Sequence, residues 1–298
     1  LNISTDATKV TFSQPPQLNA VNNFSSLRAH ARSSWAPSQN IPAQAPSFTF
    51  NHIMNENTSQ AQVYHNIGES LLNDVMTGYN ATILAYGQTS SGKTYTMLGD
   101  DYDIDETSKE LVQTTQISAT SHHGVVPRLF HGIFEHIDES EDSYEYTIKI
   151  SMYEIYLEKI RDLLKEDQDD LQLHDDGCAV WIDNLTQIYV VSVEQLLAVL
   201  QVGLTARSIG STNMNEQSSR SHLIIQLTIG QNNTATGEKI GSQLTLVDLA
   251  GSEKVAKTLA KNQTFKESQY INKSLSTLGN VINACATNMK HTPYRDSV

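Results

Sequence analysis

The stretch ATILAYGQTSSGKT, residues 81–94, decides the fold class of this chain. Its first six residues form a short apolar run that is typical of a buried strand. The eight residues that follow, GQTSSGKT at 87–94, fit the phosphate-binding pattern G-x-x-x-x-G-K-[ST]. A strand, this loop and a helix in succession bring backbone N–H groups and the positive end of the helix toward one anion. We therefore predict an α/β protein that binds a nucleotide phosphate at the end of this strand.

Each fixed position of the loop has a chemical reason. Gly87 and Gly92 let the backbone approach phosphate oxygens and adopt angles that a Cβ would block. Lys93 reaches the β- and γ-phosphates as a compact charge, and Thr94 offers its hydroxyl to Mg²⁺. The residues between the two glycines complete the predicted phosphate loop: Gln88, Thr89, Ser90 and Ser91.

Two segments further along the chain carry polar groups suited to the same site. The first, NMNEQSSRSH at 213–222, places three serines around an arginine just before a predicted strand. The second, LVDLAGSE at 246–253, ends a predicted strand with an aspartate and then offers a glycine N–H. An aspartate at a strand end is the expected partner of Mg²⁺, and a D-x-x-G turn can sense a γ-phosphate. Three separate parts of one site therefore agree.

These motifs resemble the nucleotide and switch motifs of the kinesin motor domain, and they occur in that family's order. The matching segments are AYGQTSSGKTYTMLG, GVVPRLF, YEIYLEKIRDLL, NMNEQSSRSH, LVDLAGSEK and YINKSLSTLGNVI…TPYRDS. The likeness runs from Phe48 to Ser297 and is closest to the conventional, plus-end-directed class. It implies a motor that hydrolyses Mg·ATP and couples hydrolysis to binding microtubules and moving on them.

The resemblance also implies catalytic roles for individual residues. Ser218 and Ser219 would form the first switch, one near the γ-phosphate and the attacking water, the other, Ser219, on Mg²⁺. Arg220 and Glu253 would pair across the two switches and close the site. Positioning and electrostatics carry most of phosphoryl transfer, so no strong base is required.

Three further residues would complete the implied site. Asp248 would hold Mg²⁺ through water, and the Gly251 N–H would meet the γ-phosphate. Tyr95 would lie against the adenine ring, where a flat side chain stacks favourably. The implied cofactors are ATP or ADP and Mg²⁺.

Apolar spacing outside the site predicts two helices. Val63, Ile67, Leu71 and Val75 recur at every fourth position, which predicts a helix capped by Ser59 and ended by Gly78. A second helix is predicted at 265–285. Its apolar positions are Phe265, Ile271, Leu275, Leu278, Ile282 and Cys285.

Alternating patterns predict a strand at 144–157 and an antiparallel hairpin that joins His222–Ile229 to the LVDLAG segment. The three nucleotide motifs must converge, so a single domain over 1–298 is expected. The resemblance implies a P-loop α/β fold, with a central, mixed, mostly eight-stranded sheet and helices on both faces.

Several segments depart from the kinesin pattern. Residues 13–47 and 99–123 are predicted loop insertions, rich in Pro and polar residues and in acidic residues respectively. The family's R-x-R-P run beside the adenine is not found, so an N-terminal strand is expected to be missing. Residues 257–263 read KTLAKNQ where the family carries glycines, and Gln269 replaces a frequent basic residue. The chain begins at Leu1 rather than Met and stops at Val298, where the family continues, so a truncated motor domain is expected.

Charge is distributed unevenly along the chain, whose formal net charge is −13. Residues 1–249 have a net charge of −17, while residues 250–298 have a net charge of +4. A local basic face can bind an acidic partner while the rest of the molecule repels it. The resemblance implies that this face meets the microtubule. The residues concerned are Lys254, Lys257, Lys261, Lys266, Lys273 and Arg295.

Composition restricts the remaining classes of protein. Two cysteines, Cys178 and Cys285, cannot build a disulfide framework and suit a reducing compartment. No apolar run is long enough for a transmembrane helix, and the first residues lack the build of a signal peptide. We expect a cytoplasmic, cytoskeletal protein without nucleic-acid or direct membrane partners. The resemblance implies a dimer formed through a coiled coil outside this chain.

Two other functions stay open at this point. The altered segment at 257–263 and the missing adenine-side strand are compatible with a catalytically weak or inactive microtubule-binding relative. The D-x-x-G turn is shared with GTPases, but NKSL at 272–275 has Leu where a guanine-reading N-K-x-D motif needs Asp.

Overall fold

A computed structural model describes nine stretches of the chain. The backbone alone is described for residues 2–3, 9–11, 47, 210–212 and 263–269. The described residues are 2–3, 9–11, 47–100, 122–141, 143–166, 169–177, 179–212, 219–253 and 263–298. The chain divides into two compact units, Leu1–Thr58 and Ser59–Val298. The first unit holds three antiparallel strands, β1 (Asn2–Ile3), β2 (Lys9–Thr11) and β3 (Ser47–Thr49).

The second unit contains every predicted nucleotide motif. Its helices within the described residues are α1 (Gln60–Met76), α2 (Lys93–Met97), α3 (Val125–Asp138), α4 (Val193–Thr212) and α5 (Gln263–Ala286). Its strands there are β4 (Ala81–Ala85), β5 (Tyr144–Tyr156), β6 (Lys159–Asp162), β7 (Asp169–Leu171), β8 (Leu173–Asp175), β9 (Val180–Ile182), β10 (Ile188–Val190), β11 (His222–Asn233) and β12 (Lys239–Asp248).

Seven of these strands form the central sheet, in the order β4-β12-β11-β5-β6-β7, with β10 also paired to β5. The β4–β12 pairing is parallel and the others are antiparallel, so the sheet is mixed as predicted. The predicted count of eight strands is wrong for the described part of the chain, where β8 and β9 form a separate two-stranded hairpin.

Successive side chains of β11 point to opposite faces of the sheet, and apolar residues on each face are buried. Leu223, Ile225, Leu227 and Ile229 point into the main core, which α1, α3 and α4 cover. Ile224 points to the opposite face, where α5 supplies the partly buried residues Leu275 and Leu278. Helices therefore lie on both faces, as the resemblance implied.

The predicted α1 is confirmed, and Ser59 caps it. The Gln62 N–H donates to Ser59 Oγ at 3.3 Å, while the Ser59 N–H donates to Gln62 Oε1 at 2.8 Å. Each side chain thus satisfies a backbone donor that the first helical turn leaves unpaired. The helix ends at Met76, two residues before Gly78.

The helix predicted at 265–285 is also confirmed as α5, although two of its apolar positions are not buried. Ile282 and Cys285 are exposed, and Cys285 Sγ lies 3.4 Å from the Tyr294 hydroxyl. Leu275 and Leu278 pack against the sheet and Ala284 is buried, so the side of α5 that carries Ile282 and Cys285 faces solvent.

The two predicted insertions, 13–47 and 99–123, lie mostly outside the described residues, which leave out 13–46 of the first and 101–121 of the second. The two ends of the second insertion meet, because Gly99 and His123 form an antiparallel bridge and the Gly124 N–H donates to the Leu98 carbonyl at 2.8 Å. A loop inserted there leaves the flanking helices α2 and α3 in place.

One histidine ties α5 to the sheet. His222 begins β11, and its Nδ1 accepts the Ala250 N–H at 3.1 Å. Its Nε2 lies 3.0 Å from the Ser274 hydroxyl on α5. Burial and the nearby Arg207 charge, opposed by Glu158, lower the pKa of His222 to about 4.

This shift predicts a pH-dependent stability. Between pH 6.5 and 4 the unfolded chain binds the His222 proton more readily, so the free energy of unfolding falls as the pH falls. The His222 contribution to this loss between pH 7.5 and pH 5 is about 2 kcal/mol. Urea titrations at both pH values should show a larger loss for the parent than for His222→Asn, which has no titrating ring. Equal losses in the two proteins would show that His222 is not held neutral.

Candidate nucleotide site

The parallel pairing of β4 and β12 assembles the candidate site. Ala85 at the end of β4 lies opposite Asp248 at the end of β12. Two bonds continue the alignment beyond the strands, from the Leu249 N–H to the Ala85 carbonyl at 3.2 Å and from the Ser252 N–H to the Gly87 carbonyl at 3.0 Å. The phosphate loop and the LVDLAGSE segment therefore leave the sheet side by side.

The loop has the predicted left-handed backbone at Gly92, whereas Gly87 has no positive φ and is required only because a Cβ there would meet the Ser91 hydroxyl. Gly92 precedes α2 with a φ of 91°, in the left-handed region that glycine adopts without strain. Ser90 also has a positive φ, of 61°. Lys93 Nζ donates to the carbonyls of Gly87 at 3.1 Å and Gln88 at 3.0 Å, so its charge lies over the loop.

The two predicted Mg²⁺ partners from the loop and from β12 touch each other. The Thr94 hydroxyl donates to Asp248 Oδ2 at 2.6 Å. Asp248 Oδ1 is buried and has no hydrogen-bond partner in the described residues. A buried carboxylate oxygen without a partner is costly, and a bound cation or its water would satisfy it.

Arg207 is a site residue that the sequence analysis missed. It lies on α4, is buried, and places Nη1 3.9 Å from Asp248 Oδ2. Its Nη2 also donates to the Ser221 carbonyl at 3.2 Å, just before β11. Burial lowers the pKa of Arg207, and the charges of Asp248 and Glu154 oppose this, while the guanidinium stays protonated. No motif marked this arginine, because α4 precedes the switch motifs and reaches the site only through packing.

Glu253 is bonded differently from the prediction. The Thr89 N–H donates to Glu253 Oε2 at 2.8 Å, and the Thr89 hydroxyl donates to Oε1 at 2.5 Å. Burial raises the pKa of Glu253, but these bonds and the charge of Lys93 outweigh it, so the pKa lies below its ordinary value. In this structure Glu253 is thus bonded to the phosphate loop, and its pairing with Arg220 stays a prediction for a state in which the switches close.

Gly251 lies where a side chain would not fit. A Cβ there would collide with the Thr89 hydroxyl and with the Glu253 carboxylate. Its N–H, predicted to meet a γ-phosphate, donates to the Ser219 carbonyl at 2.9 Å. This bond joins the two switch segments across the site.

A cleft of about 200 Å³ lies among these groups. It is lined by Thr89, Ser90, Lys93, Thr94, Arg207, Ser219, Asp248 and Leu249. The structure thus brings together residues from all three predicted motifs, although Ser218 lies outside the described residues. Tyr95 is 43% exposed, and its carbonyl accepts from Gln60 Nε2 at 2.7 Å.

Arg220 lies beside a second, much smaller cavity of about 10 Å³. This cavity is lined by Ile155, Leu157, Glu158, Arg220, His222, Tyr270, Ile271 and Ser274. Arg220 therefore lines a cavity between the sheet and α5, while Glu253 is bonded to the phosphate loop.

The predicted basic face is described only in part. Lys254, Lys257 and Lys261 lie outside the described residues, and Lys266 is placed on α5 by its backbone alone. Lys273 Nζ donates to Glu158 Oε2 at 3.2 Å, and Arg295 Nε donates to Asp175 Oδ2 at 2.8 Å.

Both of these basic side chains are paired with carboxylates. The sequence analysis summed their charges without reference to partners, and their role in meeting a microtubule stays a prediction. Lys273 and Arg295 are exposed and their carboxylate partners are partly exposed, and ion pairs at a protein surface contribute little, so an acidic partner could replace these carboxylates.

Two types of feature are absent from the part of the chain that the structure covers. No helix there has the length and apolar character that a membrane span requires. No group of three or more His, Cys, Asp or Glu side chains in those residues is placed to hold a metal ion. A cation at this site would rely on hydroxyls, one carboxylate and phosphate oxygens, which suits Mg²⁺.

Comparisons with known proteins point to one family. The kinesin motor domain family model matches residues 13–298. The kinesin heavy chain isoform 5C of Rattus norvegicus is 44% identical over 259 residues, covering 86% of this chain and 25% of that protein. The kinesin heavy chain of Gibberella moniliformis is 44% identical over 253 residues, covering 84% and 26%. This chain thus spans about a quarter of the length of these relatives.

A solved structure gives the same result for the fold. The structure of a fast kinesin superposes with a TM-score of 0.75 at 43% sequence identity, covering 85% of this chain and 68% of that one. With the phosphate loop, the β12 aspartate and the switch contacts in one cleft, these matches place the chain in the kinesin motor domain family.

Proposed function

We propose that this chain binds Mg·ATP at the phosphate loop, hydrolyses it, and couples hydrolysis to binding microtubules and moving on them. The observation that carries the proposal is the single cleft that gathers Lys93, Thr94, Ser219 and Asp248 from three distant segments. The kinesin heavy chains among its relatives support it, as does the fast kinesin, whose structure was described with implications for ATPase mechanism and interactions with microtubules.

The residues at the end of β12 fit the Mg²⁺ ion that ATP hydrolysis requires. Asp248 Oδ1 is buried without a partner, and the hydroxyls of Thr94 and Ser219 belong to the same cleft. Thr94, Ser219 and Asp248, the last through water, would hold the ion. The ion would neutralise charge that develops on the phosphate oxygens.

The protein's own groups supply positioning and charge. Lys93 would turn from its carbonyl partners toward the β- and γ-phosphates, a charge-assisted contact that is stronger than the neutral bonds it replaces. The Gly251 N–H and the first-switch serines would orient the γ-phosphate and the attacking water. Glu253 would leave Thr89 and meet Arg220 when the switches close, and this exchange would separate an open state from a closed one.

The track-binding face would lie on α5 and the segments around it. Lys273 is exposed on this helix, and Arg295 lies in the segment that follows it. A cytoskeletal location and a dimer formed outside this chain belong to the same proposal.

A guanine-specific site is disfavoured by structure as well as by sequence. The NKSL residues, 272–275, lie within α5, where Leu275 packs against the sheet and Ser274 meets His222. Their side chains are not among those that line the cleft beside the phosphate loop.

The first prediction concerns nucleotide binding. Lys93→Ala should abolish Mg·ATP binding, because the loop loses the one charge it directs at the phosphates. Titration with a fluorescent ADP analogue measures the affinity. Lys239→Ala is the matched control, since Lys239 begins β12 at the end of the strand opposite to Asp248. Unchanged affinity in Lys93→Ala would contradict the site.

The second prediction separates binding from turnover. Glu253→Ala should leave ATP binding largely intact and slow steady-state hydrolysis by about a hundredfold or more, because a catalytic arrangement is lost. Thr89→Val, which removes only the hydroxyl that Glu253 contacts in the open state, should slow hydrolysis much less. If Glu253→Ala hydrolyses ATP within about twofold of the parent, a barrier change under 0.5 kcal/mol, the closing role is wrong.

The third prediction concerns the track. Co-sedimentation with microtubules should weaken steeply as salt rises, because exposed charges are screened over about 8 Å at physiological ionic strength. Lys254→Ala/Lys273→Ala should bind more weakly than the parent, and Lys239→Ala should bind like it. Salt-independent binding, or full binding by the double variant, would place the track site elsewhere.

A further inference from the structure

His222 occupies a position that the proposed function does not use. Its ring lies between the end of β12 and α5, with one nitrogen bonded toward each. We infer that His222 is a positioning residue that couples the backbone at Ala250, beside the nucleotide cleft, to Ser274 on α5. The inference rests on the proposed function and names one physical link through which cleft and track-binding helix would influence each other.

The hydrogen bonds fix which ring nitrogen carries the proton. The Ala250 N–H can only donate, so Nδ1 must accept and is unprotonated. In the neutral ring the proton then lies on Nε2, which donates to Ser274 Oγ at 3.0 Å. Ser274 Oγ in turn donates to the Ile271 carbonyl at 2.9 Å, one turn earlier in α5. One directed chain of bonds thus runs from Ala250 into the backbone of α5.

The cleft end of this chain is attached to the predicted chemistry. Ala250 lies between Asp248, whose carboxylate bonds Thr94, and Gly251, whose N–H bonds the Ser219 carbonyl. Ala250 is itself 1% exposed, and it has little room to move alone. If a γ-phosphate replaced the Ser219 carbonyl as the acceptor of the Gly251 N–H, this backbone would shift. That shift would displace the His222 ring, which is bonded to Ala250.

The other end is attached to the proposed track-binding face. Ser274 follows Lys273 directly, and Lys273 bonds Glu158 on the turn between β5 and β6. Burial lowers the pKa of His222, and so does the charge of Arg207, whose Nη1 lies 3.9 Å from Asp248 Oδ2. The neutral ring accepts from Ala250 and donates to Ser274 at the same time, which an apolar residue of the same size could not do.

The test uses Ser274→Ala in the 298-residue chain, because this change cuts the link on the α5 side and leaves the cleft intact. We expect basal ATPase within about twofold of the parent and microtubule stimulation reduced by about fivefold or more. Ser274→Thr, which keeps a hydroxyl, should restore most of the stimulation. Ser276→Ala, at an exposed serine on the same helix, controls for the helix propensity of alanine in parallel urea titrations.

A second readout does not depend on activity. Amide hydrogen exchange at Ala250, followed by NMR without microtubules, should become about threefold faster or more in Ser274→Ala, because its acceptor ring loses the bond that orients it. His222→Asn keeps an acceptor near Nδ1 and cannot reach Ser274. Its effect on stimulation should therefore not add to that of Ser274→Ala in the double variant.

The outcomes separate this inference from the proposed function. If the parent hydrolyses no ATP, or microtubules do not stimulate it, the proposed function fails and the exchange rate at Ala250 alone decides the link. Unchanged exchange at Ala250 in Ser274→Ala would overturn the inference in either case. In an active parent, undiminished stimulation of Ser274→Ala, or additive effects of the two changes, would overturn it as well.

Discussion

The parallel pairing of β4 with β12 is the constraint on which the rest of the site depends. It sets Ala85 opposite Asp248, so the phosphate loop and the second switch segment leave the sheet at the same edge and in the same direction. Antiparallel pairing would send the two segments to opposite ends of the strands. The contacts of Thr94 with Asp248 and of Thr89 with Glu253 both follow from this one alignment.

The rest of the sheet brings the other switch to the same edge. β11 is antiparallel to β12, so it begins where β12 ends, and His222 lies near Asp248 although 26 positions separate them in the sequence. The residues before β11, including Ser219, must therefore enter the cleft. The apolar alternation of β11 fixes its register, because a shift by one residue would turn Leu223 and Ile225 out of the core.

Local patterns predicted the parts of the fold and site whose causes are local. The phosphate loop, the capped α1 and the hairpin could be read from spacing, glycine positions and alternation, while the mixed sheet flanked by helices followed from the family resemblance. Arg207 could not, because no periodicity distinguishes it from a surface arginine on α4 and only packing buries it against Asp248. The pairs Lys273–Glu158 and Arg295–Asp175 join residues more than a hundred positions apart, which a count of charges cannot reveal.

The cleft also shows why opposite charge alone does not reveal a side chain's partner. Arg220 was predicted to pair with Glu253, but in this structure Thr89 bonds to Glu253. Most groups expected to act on a phosphate are already satisfied within the protein: Lys93 by loop carbonyls, the Gly251 N–H by Ser219, and Glu253 by Thr89. An entering nucleotide must therefore exchange existing bonds, and its net affinity is the difference between two sets of contacts. Because the Gly251 and Glu253 bonds each join separate segments, their exchange moves those segments relative to one another. A phosphate in this cleft is thus able to change the conformation as well as to bind.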